Sequence, residues 1–299
     1  TGLEAWFVEQ LQMPPSLHLD DVLSLFPEDG KFYDDRGKLL TRLTYSASDS
    51  FWQKAITADD QLRQRMAYAL SQTLVISNRS DLDKVPQTVA AFMDILTNGA
   101  FGNFRDLIED VTYSPAMAIF LTYIRNEKGD PTTGRVPDEN YARELMQLFT
   151  IGLIRLNQDG TPVLDANGDP VELFDNSDIT NVAKVFTGLS WAGAGLTTPL
   201  AQLPYDAFYQ PLEMFDFYHS SEPKTFLGTT IPGNTAGKQT IQLALDAIVA
   251  HPNTGVFLAR QLIQRFVTSD PSPQYLVRVS AAFDAGAYDL PSGLTVGDG

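Results

Sequence analysis

The chain has 299 residues, with 37 Asp and Glu against 21 Lys and Arg (net charge −16), and no cysteine. That length can bury a large core. The missing cysteine excludes disulfides, thiolate zinc sites and cysteine nucleophiles, and the acidic balance repels phosphate backbones, so nucleic acid is not an expected partner.

The predicted elements begin with an amphipathic helix over 2–11, broken by Pro14-Pro15. His18 sits in the Pro/Leu-rich turn that follows and reads as structurally ordinary. Helical periodicity continues over 49–55 and 58–77, pauses in a polar loop at 78–84, and returns over 86–97, where Asn98-Gly99 is a stop signal. Shorter helices follow over 104–110 and 115–125. A loop rich in Gly, Pro and Thr spans 126–136 and leads into the most informative stretch of the chain. There Pro137 and Asp138 start a helix that Gly152 can close in a left-handed conformation. Ala142, Leu145, Met146 and Phe149 form its apolar face; Asn140, Arg143, Glu144 and Gln147 fall opposite, three and four residues apart.

The texture then changes. Residues 153–174 read as strands around turns at Asp159-Gly160 and Asn167-Gly168, a small β-hairpin insertion. Ser177 is positioned to cap a helix over 178–186, with Gly188 as its stop. Residues 192–236 have little helical period and many Gly, Pro, Thr and aromatic residues, a long irregular segment of the kind that often carries function. Helices resume over 238–250, 254–267 and 273–285, with Gly286 behind the last, and 290–299 read as loop. The expectation is a mainly α, multi-helix single domain over 1–299, with one β-hairpin excursion and one long irregular segment. No run of about eighteen apolar residues is present to span a membrane, and no secretory signal peptide is visible.

Several residues are candidates for chemistry. Glu144 can serve as a general acid or base tuned by Arg143, with Asn140 and Gln147 orienting a substrate. The same face is equally read as a surface Glu139–Arg143 pair or as a buried structural network. Of the three histidines, His219 and His251 lie in loops and can converge on a cleft as acid, base or metal ligand, with Lys224 stabilising negative charge beside them; the plainer reading is a hydrogen-bonded histidine at a loop–helix junction. No serine sits in a Gly-x-Ser-x-Gly elbow, and the phosphate-loop and His-Glu-x-x-His patterns are missing. Asp165, Asn167 and Asp169 alternate as oxygen ligands suited to calcium, but position twelve of that loop is Asn176 rather than a bidentate Glu, and an Asn-Gly turn explains the segment without an ion. No other cofactor or metal is expected. Trp191, Tyr205, Phe208, Tyr209, Phe215, Phe217 and Tyr218 crowd the irregular segment. They either stack on sugars, with Trp191 as a substrate contact, or anchor the segment to the core.

The string Asp138-Glu-Asn-Tyr-Ala-Arg-Glu-Leu-Met-Gln-Leu-Phe-Thr-Ile-Gly152 resembles the signature helix of the bacterial "domain of unknown function 1800" family. Further blocks agree in order: 62–72, then Asn98 to Arg105 with Ser114-Pro-Ala-Met117, then 180–191, then His219 to Gly228, and His251-Pro-Asn-Thr-Gly255. The resemblance implies a mostly helical, exported bacterial protein, secreted, periplasmic or on the cell surface, often encoded beside a secreted sulfatase-like partner. It implies no known reaction. It also implies a chain extending past both ends of this one. Two positions depart from the family pattern: Ser220 stands where an Asp is common, and Ser114 where a His is common.

The function expected is an exported protein of uncharacterised activity, with an acid–base hydrolase or lyase acting on extracellular or envelope polymers as the leading form. Glu144, Arg143, His219, Lys224 and His251 would then be catalytic, and Asn140, Gln147 and Trp191 would bind substrate. The alternatives are a non-enzymatic envelope scaffold that binds a partner protein and a carbohydrate-binding module for polysaccharide.

Overall fold

The computed structural model describes residues 2–26 and 41–297. It is mainly helical, with only small two-stranded antiparallel pairs among the described residues. The described residues group into two compact units, those up to 125 with 189–215, and 126–188 with those from 216 on. Among the described residues no helix is long and apolar enough to cross a membrane.

The first unit carries α1 (Leu3–Gln12), α2 (Leu19–Ser24), α3 (Thr41–Thr44), α4 (Ser46–Thr57), α5 (Gln61–Ser71), α6 (Pro86–Asn98), α7 (Phe104–Thr112) and α8 (Pro115–Phe120), with β1 (Leu189–Ser190) paired antiparallel to β2 (Glu213–Met214). Helix α6 is its hub and packs against α2, α4, α5, α7 and α8. Pro86 at its start has no N–H to leave unsatisfied, and Val89, Ala90, Phe92 and Leu96 bury along its length. Helix α8 is shorter than its periodicity predicts. Thr122 and Arg125 adopt φ of 62° and 60°, and left-handed residues end a helix.

The second unit carries α9 (Asn140–Glu144), α10 (Asn176–Val185), α11 (Gly237–Val249), α12 (Asn253–Phe266) and α13 (Pro273–Ala285). Its hairpins are β3 (Lys224–Phe226) with β4 (Thr229–Ile231), and β5 (Ala287–Asp289) with β6 (Thr295–Gly297). The last pair is formed where the sequence reads as loop. The signature helix is not one continuous α-helix. After α9 it widens to a π-turn over Leu145–Thr150, which ends when Ile151 and Gly152 both donate to the Met146 carbonyl. The wider turn keeps Leu145, Met146, Phe149 and Thr150 all buried, a broader apolar arc than the 3.6-residue period presents. Gly152 has the expected left-handed φ, 77°.

Residues 153–174 form an antiparallel meander held by single bridges, Ile154 to Glu172, Leu156 to Pro162 and Leu164 to Pro170, rather than by continuous strands. Pro162 and Pro170 have no N–H to extend the ladder. The glycine turns are where the sequence puts them, with Gly160 and Gly168 at φ 78° and 89°. The cap of α10 is Asp175, not Ser177: its carboxylate accepts from the Ser177 and Asp178 N–H groups, and the Asp178 carboxylate accepts from the Asp175 N–H at 3.0 Å. This reciprocal capping box satisfies three free amides, which a serine at position 177 could not do. Helix α13 ends on Gly286 at φ 65°, as expected.

Candidate functional site

All the acid–base candidates lie in the second unit, and by their hydrogen bonds they form three groups. The first is the signature helix. Arg143 and Glu139 pair at 3.5 Å with side chains 41% and 39% exposed, so this is a surface i,i+4 pair worth a few tenths of a kcal/mol, ~0.3–0.5. The other oxygen of Glu139 accepts from the Thr180 hydroxyl at 2.8 Å, which ties α9 to α10. Asn140 is exposed, and Gln147 is half-buried. Glu144 is half-buried, and its Oε2 is buried without a hydrogen-bond partner. Burial pushes its carboxyl above the ordinary range, against the opposing pull of Arg143.

The second group surrounds His219. The ring is buried; Nδ1 sits 2.8 Å from the Thr187 carbonyl, so it carries the proton and donates. Nε2 is buried without a partner. Burial holds the imidazole below its usual value. The Thr187 hydroxyl accepts from the Ser220 N–H at 2.9 Å. Lys224 has 0% exposure, and its Nζ donates to the carbonyls of Ser220 and Glu222 at 2.7 and 3.0 Å. Burial first, then the Lys184 charge, pulls its ammonium down to about 8. His219, Ser220 and Lys224 thus form one knot that fixes residues 219–224 against the end of α10.

The third group is at the start of α12. Asn253, 1% exposed, donates through Nδ2 to the carbonyls of Ile151 and Ile154 at 3.0 and 2.7 Å, and its Oδ1 accepts from the Leu156 N–H at 3.0 Å. Its own N–H donates to His251 Nδ1 at 3.1 Å. Burial, then the Arg155 charge, lowers the His251 pKa. Asn253 therefore clamps α12 to the end of the signature helix. The sequence reading singled out its neighbour His251 and missed it.

His219 and Lys224 come together, and so do Arg143 and Glu144. The charge acting on Glu144 is Arg143, those on His219 are Lys224, Asp216 and Lys128, and that on His251 is Arg155; the elements that carry the groups meet through Glu139 with Thr180 and through Asn253 with Ile151. Trp191 belongs to the first unit, buried with Ala194 and Ala207 and packed on Phe208, ring centroids 5.0 Å apart. It is an anchor of the irregular segment. Asp165 already spends one carboxylate oxygen on the N–H groups of Asn167 and Asp169 at 2.8 and 2.9 Å. Among the described residues no group of three or more His, Asp or Glu side chains could hold a metal ion.

The family model described as "Protein of unknown function (DUF1800)" matches residues 1–296. The chain belongs to the DUF1800 family. No curated protein and no solved structure matches it. Several of the blocks that carry the DUF1800 resemblance are joints here. In the first unit Arg63 of α5 donates to the Thr97 carbonyl at 3.1 Å and lies over the Phe101 ring, 4.6 Å from its centroid, joining the 62–72 block to the 98–105 block. In the second, Gly255 lets α12 approach α13 so closely that a Cβ there would strike Asp284 and Ser280.

A polar network at His18 carries no resemblance and was read as ordinary. The ring is 1% exposed, Nδ1 meets Ser50 Oγ at 3.1 Å, Ser50 donates to Asp21 at 2.7 Å, and Lys54 pairs with the same carboxylate at 2.6 Å. Burial holds the His18 imidazole down at about 4. Asp94 accepts the His18 and Leu19 N–H groups at 2.6 and 3.1 Å and seats α2 on α6.

Proposed function

We propose that this DUF1800 protein is a non-enzymatic scaffold of the bacterial envelope or exterior that binds a partner protein, with the polar helix and the loop histidines as internal bracing. The observation that carries this reading is the commitment of His219 Nδ1, Lys224 Nζ and the Asn253 amide to backbone groups within their own joints, with His219 Nε2 and Glu144 Oε2 left over. His219 and Lys224 hold the Thr187 to Glu222 loop, and His251 and Asn253 hold the end of the signature helix. The exterior location and a sulfatase-like partner follow from the family resemblance alone.

One observation favours the acid–base hydrolase or lyase instead. Glu144 keeps a buried oxygen without a partner and holds its proton more readily than an ordinary glutamate, as a general acid must. The carbohydrate-binding reading has less support: Trp191 is 3% exposed, and the Phe217 and Tyr218 rings stand at 89° to each other rather than forming a flat platform.

The test is a product-release screen of the purified protein on envelope polysaccharides and peptidoglycan, with Glu144→Gln beside it. The scaffold reading expects no product from either protein. Release of product that Glu144→Gln abolishes at an unchanged unfolding midpoint overturns it in favour of catalysis. Sedimentation of the protein with a sulfatase-like protein of the kind often encoded beside family members then asks whether that is the partner.

A further inference from the structure

The first unit carries a half-open cavity of about 850 Å³ that none of the acid–base candidates touches. That volume falls within the range that takes small organic ligands. Its walls come from the entry to α6 (Val85, Gln87), from α8 and the turn behind it (Ile119, Ile124, Arg125), and from the irregular segment, where Trp191, Tyr205 and Phe208 face it. Most of this lining is hydrocarbon or aromatic.

Two of the polar groups on these walls are left unfinished. Gln87 is 4% exposed, and its Oε1 is buried without a hydrogen-bond partner. Arg125 spends Nη2 on the Thr198 carbonyl, but its Nε is buried without a partner, and no carboxylate among the described residues pairs with it. By contrast Lys84 and Asp81, also at the cavity, pair with each other at 3.5 Å. A buried donor or acceptor left unmade destabilises the fold, so leaving two of them in one cavity is unusual for a purely structural site. Arg125 is also held in the left-handed region, φ 60°, by its N–H bond to the Leu189 carbonyl at 2.9 Å. Backbone strain of this kind clusters at ligand clamps.

The geometry points to a binding site for a small amphipathic organic acid: a carboxylate for Arg125, a hydroxyl donor for Gln87 Oε1, and an apolar body against Trp191, Tyr205 and Phe208. A guanidinium N–H is the natural partner of a carboxylate oxygen, and an amide oxygen takes a donor. The net charge of −16 opposes long-range approach of polyanions, which selects a monoanion that gains its affinity from buried hydrocarbon. This inference stands apart from the scaffold reading, because it rests on the first unit alone.

Calorimetric titration of the whole protein with 3-hydroxydecanoate, decanoate, decanol and glucuronate tests it. The expected order is 3-hydroxydecanoate tightest and decanoate weaker. Decanol should be at least about tenfold weaker than decanoate, and glucuronate should not bind. Gln87→Leu removes the orphaned oxygen without emptying its space. It should fold with an unchanged or raised unfolding midpoint, weaken 3-hydroxydecanoate about tenfold, and leave decanoate unchanged. Arg125→Gln should abolish the preference for decanoate over decanol. Decanol binding as tightly as decanoate, glucuronate binding alone, equal losses of both acids in Gln87→Leu, or no binding by any probe would each overturn the proposal.

Discussion

Replacing Lys224 with methionine isolates the electrostatic part of the His219 knot. The side chain is fully buried, and its ammonium is drawn from 10.5 to about 8 by burial and by the Lys184 charge. Each pKa unit is about 1.4 kcal/mol of difference between the two protonation states, so the charged form is disfavoured in the fold by about 3 kcal/mol. The folded pKa is lowered, so this contribution to stability is present above the unfolded value of 10.5 and is lost as pH falls towards 8. At pH 7 the wild type therefore carries the whole penalty; by pH 10 most of it has gone. Methionine keeps the length of the side chain and cannot titrate. Urea unfolding of wild type and Lys224→Met, extrapolated linearly at each pH, should show the wild type gaining on the variant by about 2–3 kcal/mol between pH 7 and pH 10. Parallel pH curves, within about 0.5 kcal/mol, would mean that the ammonium keeps its ordinary proton affinity and that burial is not what acts on it.

Three further outcomes follow from the joints. Asn253→Ala strands the carbonyls of Ile151 and Ile154 and the Leu156 N–H; thermal or urea unfolding should show a loss of about 2–4 kcal/mol, and a loss below about 1 would remove the clamp from the account. Gly255→Ala brings a Cβ against Ser280 and the carboxylate of the exposed Asp284 and should cost about 1 kcal/mol in the same assay, the Asp284 side chain turning towards solvent; a loss above about 3 kcal/mol would mean that the carboxylate is fixed in place. His219→Ala empties a buried site and leaves the Thr187 carbonyl without its donor, for a loss of about 2–3 kcal/mol by the same unfolding assay.

Much of the architecture was legible from residues whose local preference agrees with their surroundings. Pro86, Gly152, Gly160 and Gly286 occupy the helix start, helix stops and turn their chemistry suits. The departures arose where tertiary demand overrode period. The signature helix widens to a π-turn because both edges of its apolar stripe are buried, and no spacing rule anticipates an extra residue in a turn. Pro162 and Pro170 spoil strands that β-branched and apolar residues otherwise suggest. The candidate groups were legible as residue types but not as a constellation, since three and four residues along a helix determine who faces whom only within that helix. Asn253 was hidden by its ordinary composition; its role depends on meeting carbonyls about a hundred residues away in sequence. Gln87 and Arg125 gave no signal either, because an unmade hydrogen bond is a property of the folded interior.

Whether Glu144 and His219 act as one site or two is measured by a double-mutant cycle on Glu144→Gln and His219→Ala. Unfolding free energies of the two single variants and the double should add to within about 0.5 kcal/mol, as expected for groups that share no partner. An interaction energy above about 1 kcal/mol would place Glu144 and His219 in one coupled site and contradict the account.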